Sequence, residues 1–429
     1  MLSQLGHVMM GVADNVMVGH LGATELAAAG LANVAFNVLL LFGIGVSYAI
    51  TPLVATADGE KNILSVNETV RHGLVINVIN SLVLVAIVFF GKQLLYHIDQ
   101  PAEVVTLAIP YLEIITFSII PVLVFQTFRQ FSEGLSNTWI PMVIVLSCNV
   151  LNIGLNYLLI YGHAGFAPMG LNGAGWATFI SRIVMGTSLA AFIYFAPRFR
   201  NYRPLFTLGK YSKTLFNKML HIGVPAGLQF IFEVAAFDFS LVMMGWLGTK
   251  ALAAHQIAIN MATISYMTTS GLAAAATIRV SNELGKGDIK ALRKVAFVML
   301  GMALTLMGVW AILFITGKSF LPHLYIDDLE VITIAGPLVV IAGLFQLSDG
   351  MQVVCIGALR GLQDVKIPSV LIFISYWVIG LPLGYWLGFH TSLGPVGIWT
   401  GLLIGLTLTA TAMFWRFNHL SRKLLKHQL

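Results

Sequence analysis

Long apolar runs, separated by short polar or glycine-containing breaks, recur along all 429 residues. Crossing the hydrocarbon of a bilayer as a helix takes ~20 largely apolar residues. The runs meet that length and predict helices near 2–18, 28–56, 66–90, 105–127, 139–161, 170–197, 217–247, 253–279, 290–316, 331–356, 367–389 and 394–417. The first is the shortest. The pattern predicts an all-α membrane protein with twelve transmembrane helices. Prolines stand inside many of the runs, at 52, 110, 121, 141, 225, 337, 368 and 382. Each removes a backbone hydrogen bond and favours a kink.

Composition strengthens this picture. The chain is 58% apolar and only 10% charged, whereas soluble domains run near a quarter charged. Lipid is therefore its main solvent. Its two cysteines, Cys148 and Cys355, lie in apolar runs without a CxxC or Cys/His cluster, so neither a disulfide framework nor a zinc site is expected. The net charge of +6 does not point to nucleic acid, because the cations sit in short loops. Three of them, Lys92, Lys250 and Lys318, follow odd-numbered helices, and Arg182 falls within a span. The other twenty follow even-numbered helices or lie in the C-terminal tail. By the positive-inside rule this places both termini in the cytoplasm, as an even number of spans requires. Leu5–Val18 lacks a basic flank and a cleavage site, so it does not read as a cleaved signal peptide.

The stretch Arg198–Lys218 holds six of these cations and, with Pro197 just before it, Pro204. It divides the chain into an N-terminal six-helix lobe (1–197), a cytoplasmic basic linker (198–216) and a C-terminal six-helix lobe with a short tail (217–429). The halves resemble one another. At a shift of 226 residues, Gly19-His-Leu-Gly22 falls on Gly245-Trp-Leu-Gly248, Leu26-Ala-Ala28 on Leu252-Ala-Ala254, and Ala32, Gly45, Ala49 and Thr51 on Ala258, Gly271, Ala275 and Thr277. At a shift of 227, Gly134-Leu135 and Ile140-Pro141 fall on Gly361-Leu362 and Ile367-Pro368. Since six is even, such a repeat is parallel, with a pseudo-two-fold axis along the membrane normal. Transporters use this layout.

Five carboxylates fall at least four residues inside predicted spans: Asp14, Glu113, Glu233, Asp238 and Asp349. A charge at the bilayer centre costs at least ~2.5 kcal/mol, so such residues pair, face water or hold a proton. Asp14 reads as a proton carrier or, with amides nearby, as a Na⁺ ligand. Glu233 and Asp349, in helices 7 and 10, could share a proton or clamp one cation. Asp238, five residues after Glu233, points about 140° away around the helix. Glu113 lies nearer a helix end, where interfacial water solvates it. Asn152 and Asn156 are four apart and share a face; they complete a cation shell or glue helices together.

Taken in order, these segments resemble the MATE (multidrug and toxic compound extrusion) family, particularly its NorM-like branch. The resemblance rests on Asp14-Asn-Val-Met-Val-Gly19, Phe131-Ser-Glu-Gly134, Leu151-Asn-Ile-Gly-Leu-Asn156, Gly173-Ala-Gly-Trp-Ala-Thr178, Phe232-Glu-Val234, Ala253-Ala-His-Gln-Ile-Ala258, Ile278-Arg-Val280, Asp349-Gly-Met-Gln-Val353 and Leu359-Arg-Gly361. It implies a V-shaped pair of six-helix bundles in the inner membrane. It also implies that amphipathic, mainly cationic drugs leave by antiport against Na⁺ or H⁺. It assigns a first-lobe cation site to Asp14, Asn152, Asn156 and Thr178, and a second-lobe site to Glu233 and Asp349. Na⁺ is the metal expected at either place. Phe345 stands where some relatives carry a tyrosine, which removes one oxygen from the second site. Relatives also carry a longer segment before helix 1, so the resemblance implies a truncated first helix here.

The expected function is thus an alternating-access exporter in which drug and coupling cation compete for Asp14, Asn152, Asn156, Thr178, Glu233 and Asp349. Its expected partners are small organic substrates and the lipid bilayer, with no cofactor, no nucleic acid and a monomeric state. Na⁺ and H⁺ remain alternatives. The rival is a flippase for lipid-linked oligosaccharides, which needs basic groups for pyrophosphate where this chain buries acidic ones. An enzyme is disfavoured by the lack of HExxH, GxSxG or a paired-histidine motif.

Overall fold

The computed structural model describes residues 2–97, 100–202 and 211–428, and the side chains within them other than those of 2–9 and 428. Arg203, Pro204 and Lys210 of the linker lie outside the described residues. Twelve helical rods run through the described residues, and no strand is among them. They are α1 (Leu2–Gly19), α2 (Ala23–Gly59), α3 (Ile63–Gly91), α4 (Ala102–Gly134), α5 (Trp139–Tyr161), α6 (Leu171–Phe195), α7 (Lys213–Trp246), α8 (Thr249–Lys286), α9 (Ile289–Thr316), α10 (Leu329–Gly361), α11 (Lys366–Phe389) and α12 (Pro395–Gln428). Ten of them are long and apolar enough to cross a membrane by length and composition; α1, with 18 residues, and the more polar α8 complete the twelve. The chain is a multi-pass membrane protein.

Three rods are interrupted, and a proline explains each place. Proline has no N–H for the carbonyl four residues earlier. In α2 the helix breaks at Tyr48–Ala49, just before Pro52. In α4 it breaks at Ser118, just before Pro121. In α11 a π-helical stretch over Ile374–Gly380 precedes Pro382.

Contacts divide the chain into two compact units, residues 2–227 and 228–429. The first 15 residues of α7, 213–227, thus pack with the first unit. The reason is close backbone approach. A Cβ on Gly45 of α2 would stand 2.4 Å from Gly227 Cα, and one on Gly223 would stand 2.5 Å from the Val46 carbonyl oxygen. Small residues four apart let membrane helices meet at the backbone. In the second unit the same device joins α11 to α12. Gly380, Gly384 and Gly388 face Gly397, Gly401 and Gly405, and a Cβ on Gly401 would lie 2.4 Å from Gly384 Cα.

The internal repeat has a structural counterpart in each unit. In the first, Thr51 Oγ1 on α2 donates to the Gln130 carbonyl on α4 at 3.1 Å, and Gly134 leaves room for Val54. In the second, Thr277 Oγ1 on α8 donates to the Gly357 carbonyl on α10 at 2.9 Å, and Gly361 leaves room for Val280. These pairs stand 226 or 227 residues apart. The turns repeat as well. Lys61 (φ 57°) and Gly287 (φ 73°) each precede a side-chain cap, with Asn62 accepting from the Ser65 N–H and Asp288 from the Ala291 N–H. Ser136 (φ 60°) and Gln363 (φ 63°) close the matching turns after α4 and α10.

Candidate cation sites in the two units

Asp14 sits on α1 one turn before Met17, whose carbonyl accepts a hydrogen bond from the Tyr161 hydroxyl at 2.8 Å. That bond fastens α1 to the end of α5. Both oxygens of the buried Asp14 carboxylate are engaged. Asn156 Nδ2 on α5 donates to Oδ1 at 2.6 Å, and Thr178 Oγ1 on α6 donates to Oδ2 at 2.8 Å. Asn152, one turn before Asn156, donates to Thr178 Oγ1 at 3.4 Å, and its own oxygen accepts from Asn156 Nδ2 at 3.3 Å. Three helices therefore converge on one carboxylate through side chains that are 0–7% exposed. A buried carboxylate survives when such donors replace water. One acceptor is left over: Asn156 Oδ1 is buried without a hydrogen-bond partner. A neutral amide oxygen beside a carboxylate is the donor type a hard cation takes.

Glu233 on α7 and Asp349 on α10 form the second cluster, within electrostatic reach of each other. Gln352, three residues after Asp349 and so on its face of α10, donates from Nε2 to Glu233 Oε1 at 2.7 Å. Its oxygen accepts from the Tyr376 hydroxyl at 3.3 Å. Tyr376 lies in the π-helical stretch of α11, and its neighbour Trp377 donates from Nε1 to the Phe232 carbonyl at 2.9 Å. A π-turn re-aims side chains that a regular helix would carry elsewhere. Phe345, one turn before Asp349, is buried against Trp399 at 5.7 Å between ring centroids, and Trp399 Nε1 donates to His255 Nδ1 at 3.0 Å.

Two of the remaining intramembrane charges, Asp238 and Glu113, stand apart from these clusters, whereas Arg182 is within electrostatic reach of Asp14. Asp238 is exposed and has no hydrogen bond or ion pair to another described residue. Glu113, expected to rely on interfacial water, is paired with Lys92. Arg182, one turn after Thr178 on α6, donates from Nη1 to Ser118 Oγ at 2.5 Å at the break in α4 and lies 5.0 Å over the Phe36 ring.

A family model, MatE, matches residues 1–158 and 225–386, which is most of the chain. The protein belongs to the MATE family. The "Probable multidrug resistance protein NorM" of Rhizobium meliloti is 35% identical over 427 residues, covering 98% of this chain and 91% of that one. The "Multidrug resistance protein NorM" of Photobacterium profundum is 32% identical over 422 residues, covering 97% and 92%. Two solved structures share the fold. One, of a MATE in the bent conformation, is 19% identical with a TM-score of 0.90 and covers 99% of this chain and 94% of its own. The other, of a eukaryotic MATE transporter, is 20% identical with a TM-score of 0.85 and covers 100% and 96%. As a MATE protein the chain is a transporter and not an enzyme.

In this MATE chain the structure brings together Asp14, Asn152, Asn156 and Thr178, the set that the family resemblance implied, and places Glu233 within electrostatic reach of Asp349. The sequence reading passed over Gln352, Tyr376 and Trp377. Gln352 was within view, since it shares a face with Asp349 and an amide on an intramembrane carboxylate's face is a candidate partner. Tyr376 and Trp377 depend on the π-stretch, which the apolar composition of α11 does not encode.

Proposed function

We propose that the protein is a cation-coupled multidrug exporter of the bacterial inner membrane, with both termini in the cytoplasm. Amphipathic, mainly cationic organic compounds leave by exchange for Na⁺ or H⁺, by alternating access and without a further cofactor. The names of the relatives support the substrate class, and the positive-inside distribution of Lys and Arg supports the orientation.

One observation carries the reading: Asp14 is buried, met by an amide and a hydroxyl, and flanked by an unpartnered amide oxygen. Asp14, Asn152, Asn156 and Thr178 supply carboxylate, amide and hydroxyl oxygens, a set that fits Na⁺. A proton needs the carboxylate alone. In the second unit Glu233 and Asp349 supply the charge, and Gln352 and Tyr376 hold Glu233 in place where Phe345 offers no oxygen. A cation entering either cluster neutralises a carboxylate and lowers its attraction for a cationic drug. Coupling follows when each ligand favours a different conformation through its own differential affinity.

The rival flippase would need cations to hold a pyrophosphate, whereas the groups met directly at both clusters are carboxylates, amides and hydroxyls. Cells lacking other exporters and expressing the protein test the reading. Ethidium should leave wild-type cells, and it should accumulate in cells expressing the E233Q/D349N variant at equal membrane abundance. Equal accumulation in wild-type and empty-vector cells would contradict it.

A further inference from the structure

α12 is 34 residues long, about 51 Å at 1.5 Å per residue, against ~30 Å of hydrocarbon. Its last turns therefore leave the hydrocarbon while remaining helical. Their apolar side chains, Leu420, Leu424 and Leu425, pack against the core of the second unit. Their other face carries Arg422, Lys423 and Lys426, all exposed. Beside it, the first turns of α9 present exposed Lys290 and Lys294, four apart and on one face.

The two helices are fixed to each other. Arg293 Nη2 donates to Asn418 Oδ1 at 2.9 Å and Nη1 to the Asn418 carbonyl at 3.3 Å, with a further bond to Ser421 Oγ. Three carboxylates of this unit are engaged elsewhere: Glu283 with Lys286, Asp364 with Arg416, and Asp288 as the cap of α9. Five cations thus remain without an acidic partner among the described residues. The depth of the patch is marked by Trp415, which is 72% exposed on the same helix. An exposed tryptophan at a span's end sits at headgroup level. Arg422 follows it by seven residues, about 10 Å further out along the helix, which leaves the patch about one Debye length from the anionic surface. Orientation by the positive-inside rule needs only a count of cations in short loops. It does not need them gathered on two helices bonded to each other beside the bilayer surface.

We propose that Lys290, Lys294, Arg422, Lys423 and Lys426 form a binding site for the headgroups of anionic phospholipids. The lysines act as point charges, and Arg422 offers a fork that matches two phosphate oxygens. Binding here would tie the α9–α12 end of the second unit to the leaflet it faces. The inference stands apart from the carboxylate clusters and from the identity of the cargo.

Native mass spectrometry of the purified full chain tests it, with phosphatidylglycerol and phosphatidylcholine offered in equal amounts. The wild type should retain phosphatidylglycerol selectively. Each cation near an anionic surface contributes about fivefold in affinity, so K290Q/K294Q should weaken retention by about twenty-five-fold and R422Q/K423Q/K426Q by more. R198Q/R200Q removes two exposed cations from the first unit and should retain the lipid as the wild type does. Thermal unfolding in detergent checks that both patch variants are folded, and either one suffices for the test. Equal loss in the R198Q/R200Q control would overturn the site, as would a wild type that takes both lipids alike. So would stripping of the lipid by millimolar inorganic phosphate, which would mark a site for the free anion instead.

Discussion

At the scale of single residues, the two clusters differ in how their carboxylates are held. Asp14 is met by donors from two other helices, a grouping that the family resemblance implied and that spacing alone left open. Spacing showed only that Asn152 and Asn156 share a face of α5; Thr178 entered through the resemblance. Glu233 depends on Gln352, whose amide is held in turn by the Tyr376 hydroxyl. A hydrogen bond to a charged group contributes about 1.5–3 kcal/mol net, and 1.4 kcal/mol is tenfold in an equilibrium. Gln352→Leu should therefore weaken ethidium efflux at least about tenfold, while Gln352→Glu, which sets a like charge beside Glu233, should do more harm than Leu. Efflux rates at matched protein abundance check the order of the two variants. Asn156→Asp tests the unpartnered amide oxygen. It adds a negative charge at Asp14 and removes a donor, and should lower the stability of the protein in detergent in the absence of added cation. A thermal unfolding series with and without Na⁺ measures it.

At the scale of elements, the apolar pattern was enough to find twelve helices, but it was silent on their breaks and their ends. Hydrophobic composition continues unchanged through Tyr48–Ala49 and Ser118, so only Pro52 and Pro121 signalled those interruptions. The extra turns of α4, α8 and α12 carry polar and charged residues, and they persist because packing inside each unit supports helix beyond the hydrocarbon. Close contact between α11 and α12 depends on glycine on both sides, a feature that hydropathy cannot register. Adding a branched side chain to such a contact overpacks it by about 1–3 kcal/mol or more. Gly401→Val should thus destabilise the second unit, and because the π-stretch with Tyr376 lies on α11, it should also impair efflux. Gly301→Val, at a position with open space, should be tolerated apart from the usual small helix cost. Melting temperatures of the two variants make the comparison.

At the scale of the whole molecule, the weak internal repeat in the sequence corresponds to one construction used twice. A threonine on one helix bonds a carbonyl on another, and a glycine there admits a valine. What the repeat does not copy is the chemistry. The first unit places its carboxylate on its first helix and surrounds it with amides and a hydroxyl; the second divides two carboxylates between α7 and α10. That divergence is what let the intramembrane charges stand out individually against a shared scaffold. Transport under imposed gradients in proteoliposomes tests the proposed exchange at Asp14 most directly. The wild type should move ethidium when an inward Na⁺ or H⁺ gradient is applied, and D14N, properly inserted and folded, should lose at least about tenfold of the gradient-driven rate. Wild-type gradient dependence in D14N would contradict the assignment of the coupling cation to that carboxylate.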